Sequence, residues 1–140
     1  MSKGLNKRQF RTEVFKGIFE LDFYNEEYKS EQLELLYDEN THPEGVTVTE
    51  KDAEEVKGKC DDIIKNLDAI DKRIEDSLDK WTINRIGKVE LAILRVAVYE
   101  YDYDKLEAPI VINEAVEIAK VYGGDKSGSF VNGVMAKIVK

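Results

Sequence analysis

Apolar residues along this chain recur at helical spacing and nowhere alternate over a useful length. Phe10, Val14, Ile18 and Leu21 fall on one stripe, widened by Phe15 and Phe19, and predict a first helix from about Asn6 to Phe23. Leu33, Leu36 and Tyr37 give a buried side to a short helix within Glu26–Asn40. The run from Asn40 through His42 and Pro43 to Gly45 then breaks the pattern as a loop. Thr49 with Asp52 resembles a capping box, Asp standing in for the usual Glu. It opens a helix that uses Ala53, Val56, Cys60, Ile63 and Leu67. The period continues through Ile70, Ile74 and Leu78, either as a fourth helix or past a kink near Asn66, and Trp81 closes it.

The stretch from Arg85 to Tyr101 keeps to no single stripe. Ile86, Val89, Ile93, Val96 and Ala97 cover one broad side, while Leu91, Leu94, Val98 and Tyr101 cover much of the rest. A helix apolar nearly all round belongs inside a bundle. Its charges Glu90, Arg95 and Glu100 recur every five residues, a rotation of roughly 140° each time. They cannot share one solvent face, so at least one is expected to meet a partner on another element. Pro109 suits the first turn of the next helix, built on Val111 or Ile112 with Ala115, Val116, Ile118 and Ala119. Gly123-Gly124 ends it as a C-terminal cap. A last helix starts at Ser127-Gly128-Ser129 and runs through Phe130, Val131, Val134, Met135 and Ile138. The fold class is all-α, with about seven helices.

Composition adds limits. At 140 residues the chain fits one domain with most of a core. It has no run of 18 apolar residues and no signal-peptide core, so the expected place is the cytoplasm, with its single Cys reduced. The net charge of −8 argues against nucleic acid, but its distribution does not. Residues 1–16 carry five cations against one acid, residues 17–62 have a net charge of −11, and residues 63–140 are near neutral. A basic tip on an acidic body is a local footprint that the whole-chain charge hides.

Candidate chemistry is sparse. With one His and one Cys, no zinc spacing exists. His42 beside a breaker reads as a loop residue, and Cys60 on an apolar stripe reads as core. Gly124-Asp125-Lys126-Ser127 lacks the glycines of a phosphate-binding loop. No enzyme, metal or cofactor is expected. Two helix openings do suit an anion. Lys7, Arg8 and Arg11 stand where the helix dipole favours acids, either as a solvated basic terminus or as a phosphate site. Lys126, Ser127 and Ser129 bring a cation and hydroxyls to the last helix start, with Phe130 next. That ring either packs in the core or stacks on an unpaired base. Asn113 and Asn132, set within apolar helices, are expected to hydrogen-bond inside the bundle.

Taken together, Trp81, Arg85-Ile86, Val89-Glu90, Ala92-Ile93-Leu94-Arg95, Ala97 and Tyr99-Glu100, then Ile112 through Lys120, then Phe130-Val131-Asn132-Gly133-Val134, closely resemble the NusB family of bacterial transcription antitermination factors. The match is dense from Trp81 to Ile138 and weaker from Lys7 to Leu21. The resemblance implies two small helical bundles packed together, here about 1–66 and 67–140. It implies binding of boxA-type single-stranded RNA together with NusE, a ribosomal protein of the small subunit. Other Nus factors and RNA polymerase would be met indirectly, in antitermination on ribosomal RNA operons. The family's arginine-rich opening falls on Lys7, Arg8, Phe10 and Arg11, and its second RNA-contacting region on Lys126, Ser127, Ser129 and Phe130. Ser129 stands where many members have Lys or Arg. The partner-facing surface falls on Glu90 and Phe19. The two openings are expected to lie side by side as one RNA strip. The rival readings are a protein-only adaptor and a self-associating module that hides this strip. A monomer or a weak homodimer is expected.

Overall fold

The computed structural model describes residues 4–21, 48–79 and 82–140. The expected helix within Glu26–Asn40, the His42 loop, Phe23 and Trp81 lie outside these residues. Among them are six α-helices: α1 (Lys7–Glu20), α2 (Glu50–Lys65), α3 (Leu67–Asp76), α4 (Lys88–Asp102), α5 (Ala108–Tyr122) and α6 (Ser127–Ile138). A 3₁₀ turn, Ile83–Arg85, precedes α4. The fold is all-α. No helix among the described residues is long and apolar enough to cross a membrane. The chain divides into two compact units, Met1–Ile64 and Lys65–Lys140.

In the first unit, α1 opens with a full capping box that the apolar pattern does not reveal. Asn6 Oδ1 accepts from the Gln9 N–H at 2.8 Å, and Gln9 Oε1 accepts from the Asn6 N–H at 2.9 Å. The box expected at α2 forms only by half. Thr49 Oγ1 accepts from the Asp52 N–H at 3.0 Å, while the Asp52 carboxylate accepts from the Leu5 N–H at 2.9 Å. Asp52 thus ties the start of the chain to α2. Farther along, Lys59 Nζ lies 5.8 Å from the centre of the Phe10 ring, and Cys60 Sγ donates to the Val14 carbonyl at 3.6 Å. The three links show α1 and α2 running side by side in one direction. Cys60 is buried, and burial pushes its thiol well above the ordinary range, as expected of a core residue.

The second unit is organised around α4. Its residues Leu91 to Glu100 are all buried, in accord with a sequence apolar on every side. Each fully buried Val, Leu or Ile contributes about 1.5–3 kcal/mol. Helices α3, α5 and α6 pack on it, and α5 packs on α6. The expected partner for a charge of α4 is found at Arg95, which donates from Nε and Nη2 to the two oxygens of Asp71 on α3, both at 2.8 Å. Asp71 is 24% exposed, so removing either member costs less than the roughly 3–5 kcal/mol of a fully buried pair. Arg73 makes a second fork to Asp102, at 2.8 and 2.9 Å, which raises its pKa through that hydrogen bond. The chain breaks at Asn66, so α2 and α3 are separate helices.

Three expectations need correction. The central helix begins at Lys88 rather than Arg85, because Ile86 and Gly87 have extended backbone. Ile86 reaches the core from that extended stretch and is buried. Gly123 caps α5 without the left-handed conformation of the usual glycine cap, at φ −96° and ψ −178°. Asn113 and Asn132 are exposed and do not bond inside the bundle; each falls on the water-facing side of its helix.

Candidate nucleic-acid interface

The basic tip narrows once its side chains are placed. Lys16 is buried and donates to Glu13 at 2.9 Å, so this cation and the only acid of the tip neutralise each other inside the unit. Lys7 and Arg8 are exposed and Arg11 is half-buried, on the first two turns of α1. The first turn carries no acid. Thr12 Oγ1 donates to the Arg8 carbonyl at 2.8 Å and steadies the helix beside these cations. Because the capping box already occupies the Asn6 and Gln9 N–H groups, attraction for an anion here comes from side-chain charge. Phe19, the penultimate residue of α1, is half-buried beside Phe15, with ring centres 6.1 Å apart.

The opening of α6 is built differently. No side chain caps it, and Lys126 stands at the cap position, exposed. Ser127 is buried, and its hydroxyl is engaged on both sides. It donates to Glu90 Oε2, on the first turn of α4, and accepts from the Gly124 N–H at 2.9 Å. Ser127 therefore fixes the Gly124–Lys126 loop against α4 instead of facing outwards. Gly123 serves the same closure: a Cβ there would strike the Ser127 side chain and come within 2.8 Å of the Ala119 carbonyl oxygen. Ser129 is exposed, and Phe130 is half-buried.

Phe130 stands between two hollows. One, of about 220 Å³, is lined by Arg85, Ile86, Gly87, Glu90, Lys126 and Ser127 together with Phe130. The other, of about 450 Å³, lies among Leu78, Asp79, Ser129, Gly133, Val134 and Lys137. The ring is half-buried there, so it packs in part within its own unit. Glu90, expected to face a protein partner, is half-buried and holds Ser127. Arg85 belongs to this setting too, and spacing could not point to it, because it lies 41 residues before Lys126 and on a different element. Among the described residues no group of three His, Cys, Asp or Glu side chains converges as a metal site.

The arrangement offers positive charge, an aromatic ring and polar loop atoms. Comparison with known proteins agrees in kind. The NusB family model matches residues 8–140. A protein named transcription antitermination protein NusB from Agathobacter rectalis is 42% identical over 134 residues, covering 95% of this chain and 98% of that one. Its namesake from Acetivibrio thermocellus is 37% identical over 137 residues, covering 97% and 90%. The structure of T. maritima NusB superposes with a TM-score of 0.80 at 35% identity, over 99% of this chain and 92% of that chain. A crystal structure of the antitermination factors NusB and NusE in complex with double-stranded RNA gives 0.76 at 28% identity, over 94% of each.

Proposed function

The chain belongs to the NusB family, and from that premise we propose that it is a transcription antitermination factor that binds boxA-type single-stranded RNA together with a NusE-type ribosomal protein. The observation that carries the reading is the opening of α1, where Lys7, Arg8 and Arg11 face an acid-free first turn in a chain of net charge −8. Phosphates supply affinity at such a cluster and carry no sequence choice. Choice comes from bases, and the opening of α6 offers Phe130 for stacking with Lys126 and Ser129 beside it. Ser127 serves this surface by positioning its loop. Phe19 and Glu90 are the partner-facing residues in this reading. The work is binding, with no bond made or broken, and it is done in the cytoplasm where RNA is transcribed.

The acidic body opposes RNA, and a basic ribosomal partner offsets it. Titration of the whole chain with a boxA-like strand, a scrambled strand and the boxA-like sequence as a duplex tests this. The single boxA-like strand should bind best, the partner should strengthen it, and Arg8→Glu with Arg11→Glu should weaken both single strands. Equal binding of all three RNAs with the partner present would overturn the reading.

A further inference from the structure

We propose that Glu90 and Ser127 form a relay through which the ribosomal partner, held at Glu90, sets the position of the loop of residues 124–126. The inference rests on the function proposed above and adds to it a route by which the partner strengthens RNA binding. The relay lies within the second unit and has three members. The Gly124 N–H donates to Ser127 Oγ at 2.9 Å, and the Ser127 hydroxyl donates onward to Glu90 Oε2. Ser127 is buried, whereas Glu90 is half-buried and still meets water. One end of this chain of hydrogen bonds is therefore in the loop, and the other is at the surface.

The Glu90 carboxylate has two oxygens, and Ser127 uses one of them. The other, Oε1, lies over Gly87, where an added Cβ would collide with it. The Gly87 backbone, at φ −58° and ψ 148°, suits any residue, so it is side-chain space that asks for glycine there. Glycine leaves room for the bent-back carboxylate that reaches Ser127. A half-exposed Glu shares its time between such a bridge and water, because holding the bridge fixes its side-chain torsions. A cation of the basic partner on Oε1 holds the carboxylate in the pose that Ser127 needs, through a charge-assisted hydrogen bond. Partner and RNA then favour the same closed bridge, and each tightens the other by the same factor. The competing source of the gain is charge alone, since a basic partner beside an acidic body attracts RNA without any bridge. Salt separates the two, because it screens exposed charges far more than a buried contact.

The test measures the affinity of the whole chain for the boxA-like strand, with and without saturating partner, at low and at physiological salt. In the wild type the partner's gain should still be about 5-fold at physiological salt. Gly87→Ala keeps every polar group and displaces only the flexible end of Glu90, so the protein should fold as before. Its gain at physiological salt should fall close to 1, and Ser127→Ala should behave alike, while both variants still bind the RNA and the partner singly. The Gly124 N–H supplies a direct reading: adding the partner without RNA should slow its hydrogen exchange in the wild type and in neither variant. If both variants keep the wild-type gain, or the partner leaves Gly124 exchange in the wild type unchanged, the relay falls and the RNA reading stands. A wild-type gain that vanishes at physiological salt assigns the effect to charge alone and overturns the relay equally. A wild type that binds no boxA-like RNA, even with the partner, removes the proposed function itself.

Discussion

The openings of α1 and α6 are both cationic helix starts, and they are built on opposite principles. At α1 the Asn6 and Gln9 N–H groups are satisfied from within by the capping box, and the charge is carried on Lys7, Arg8 and Arg11. At α6 no side chain caps the helix, and the loop is held from outside by the Ser127 bridge to Glu90, with Phe130 and Lys126 around it. The first is a helix end closed by its own capping box, with its charge on side chains. The second is a fixed loop with a shaped surface. One suits affinity and the other suits choice, a division that is open to test by changing each separately.

The largest effect should follow from reversing charge at α1. Arg8→Glu with Arg11→Glu turns two attractions into repulsions, and RNA affinity at low salt should fall about 100-fold, with a flatter salt response. The discriminating point is evenness: boxA-like and scrambled strands should lose alike if α1 supplies affinity alone. A loss confined to the boxA-like strand would mean that α1 also reads sequence, and the comparison would fail.

Next in size is Ser127→Ala. It leaves Glu90 Oε2 without its donor and the Gly124 N–H without its acceptor, in a buried setting. Each lost partner of this kind costs about 1–3 kcal/mol, and the half-exposed Glu90 regains some water, so about 1–2 kcal/mol of unfolding free energy is expected in urea titration. Choice between strands should shrink because the loop no longer holds Lys126 and Phe130 in register, whereas the salt slope should keep its wild-type value. An unchanged preference would show that the bridge is structural only.

Asn6→Ala should come third. Losing the side-chain cap costs about 1 kcal/mol, read as a lower melting temperature. RNA affinity should barely move, since Lys7, Arg8 and Arg11 keep their charges. A large loss of RNA binding would mean that the cations need the capped geometry, and the contrast between side-chain charge and fixed loop would weaken.

How much of this could be read from sequence differs between the two openings. The cations of α1 stand next to one another, so charge counting finds them. It cannot tell that Lys16 turns inward to Glu13, because helical spacing puts a residue on a face without saying what covers that face. The core was readable for a physical reason: a segment apolar all round, such as Leu91 to Val98, has only one place to go. Its start was not, because Ile86 is as buried from extended backbone as it would be from a helix, and Gly87 then permits the turn into Lys88. Asn113 and Asn132 were misplaced for a related reason. On helices this apolar the polar positions are few, and the water-facing side is set by neighbours that no periodicity names. The hollow at α6 was out of reach altogether. Arg85, Glu90 and Phe130 come from three elements, and only the folded second unit brings them together.

The smallest effect carries the sharpest contrast, because stability and binding should move in opposite directions. Lys126→Asp puts an acid at the uncapped start of α6, where the helix dipole favours negative charge by about 0.3–1 kcal/mol. The backbone at this position, φ −101° and ψ −1°, departs from the extended geometry of a good side-chain cap, so the gain should stay at the dipole's level. The melting temperature should therefore rise slightly. RNA binding should fall about 5- to 10-fold, as an exposed cation that lines the hollow becomes an anion. The same exchange tried at α1, Arg8→Asp, should weaken binding as well but gain less stability, because the capping box there already engages two of the opening N–H groups. A protein stabilised by Lys126→Asp with undiminished RNA affinity would mean that evolution left α6 uncapped for some purpose other than RNA, and the second opening would have to be assigned to the protein partner.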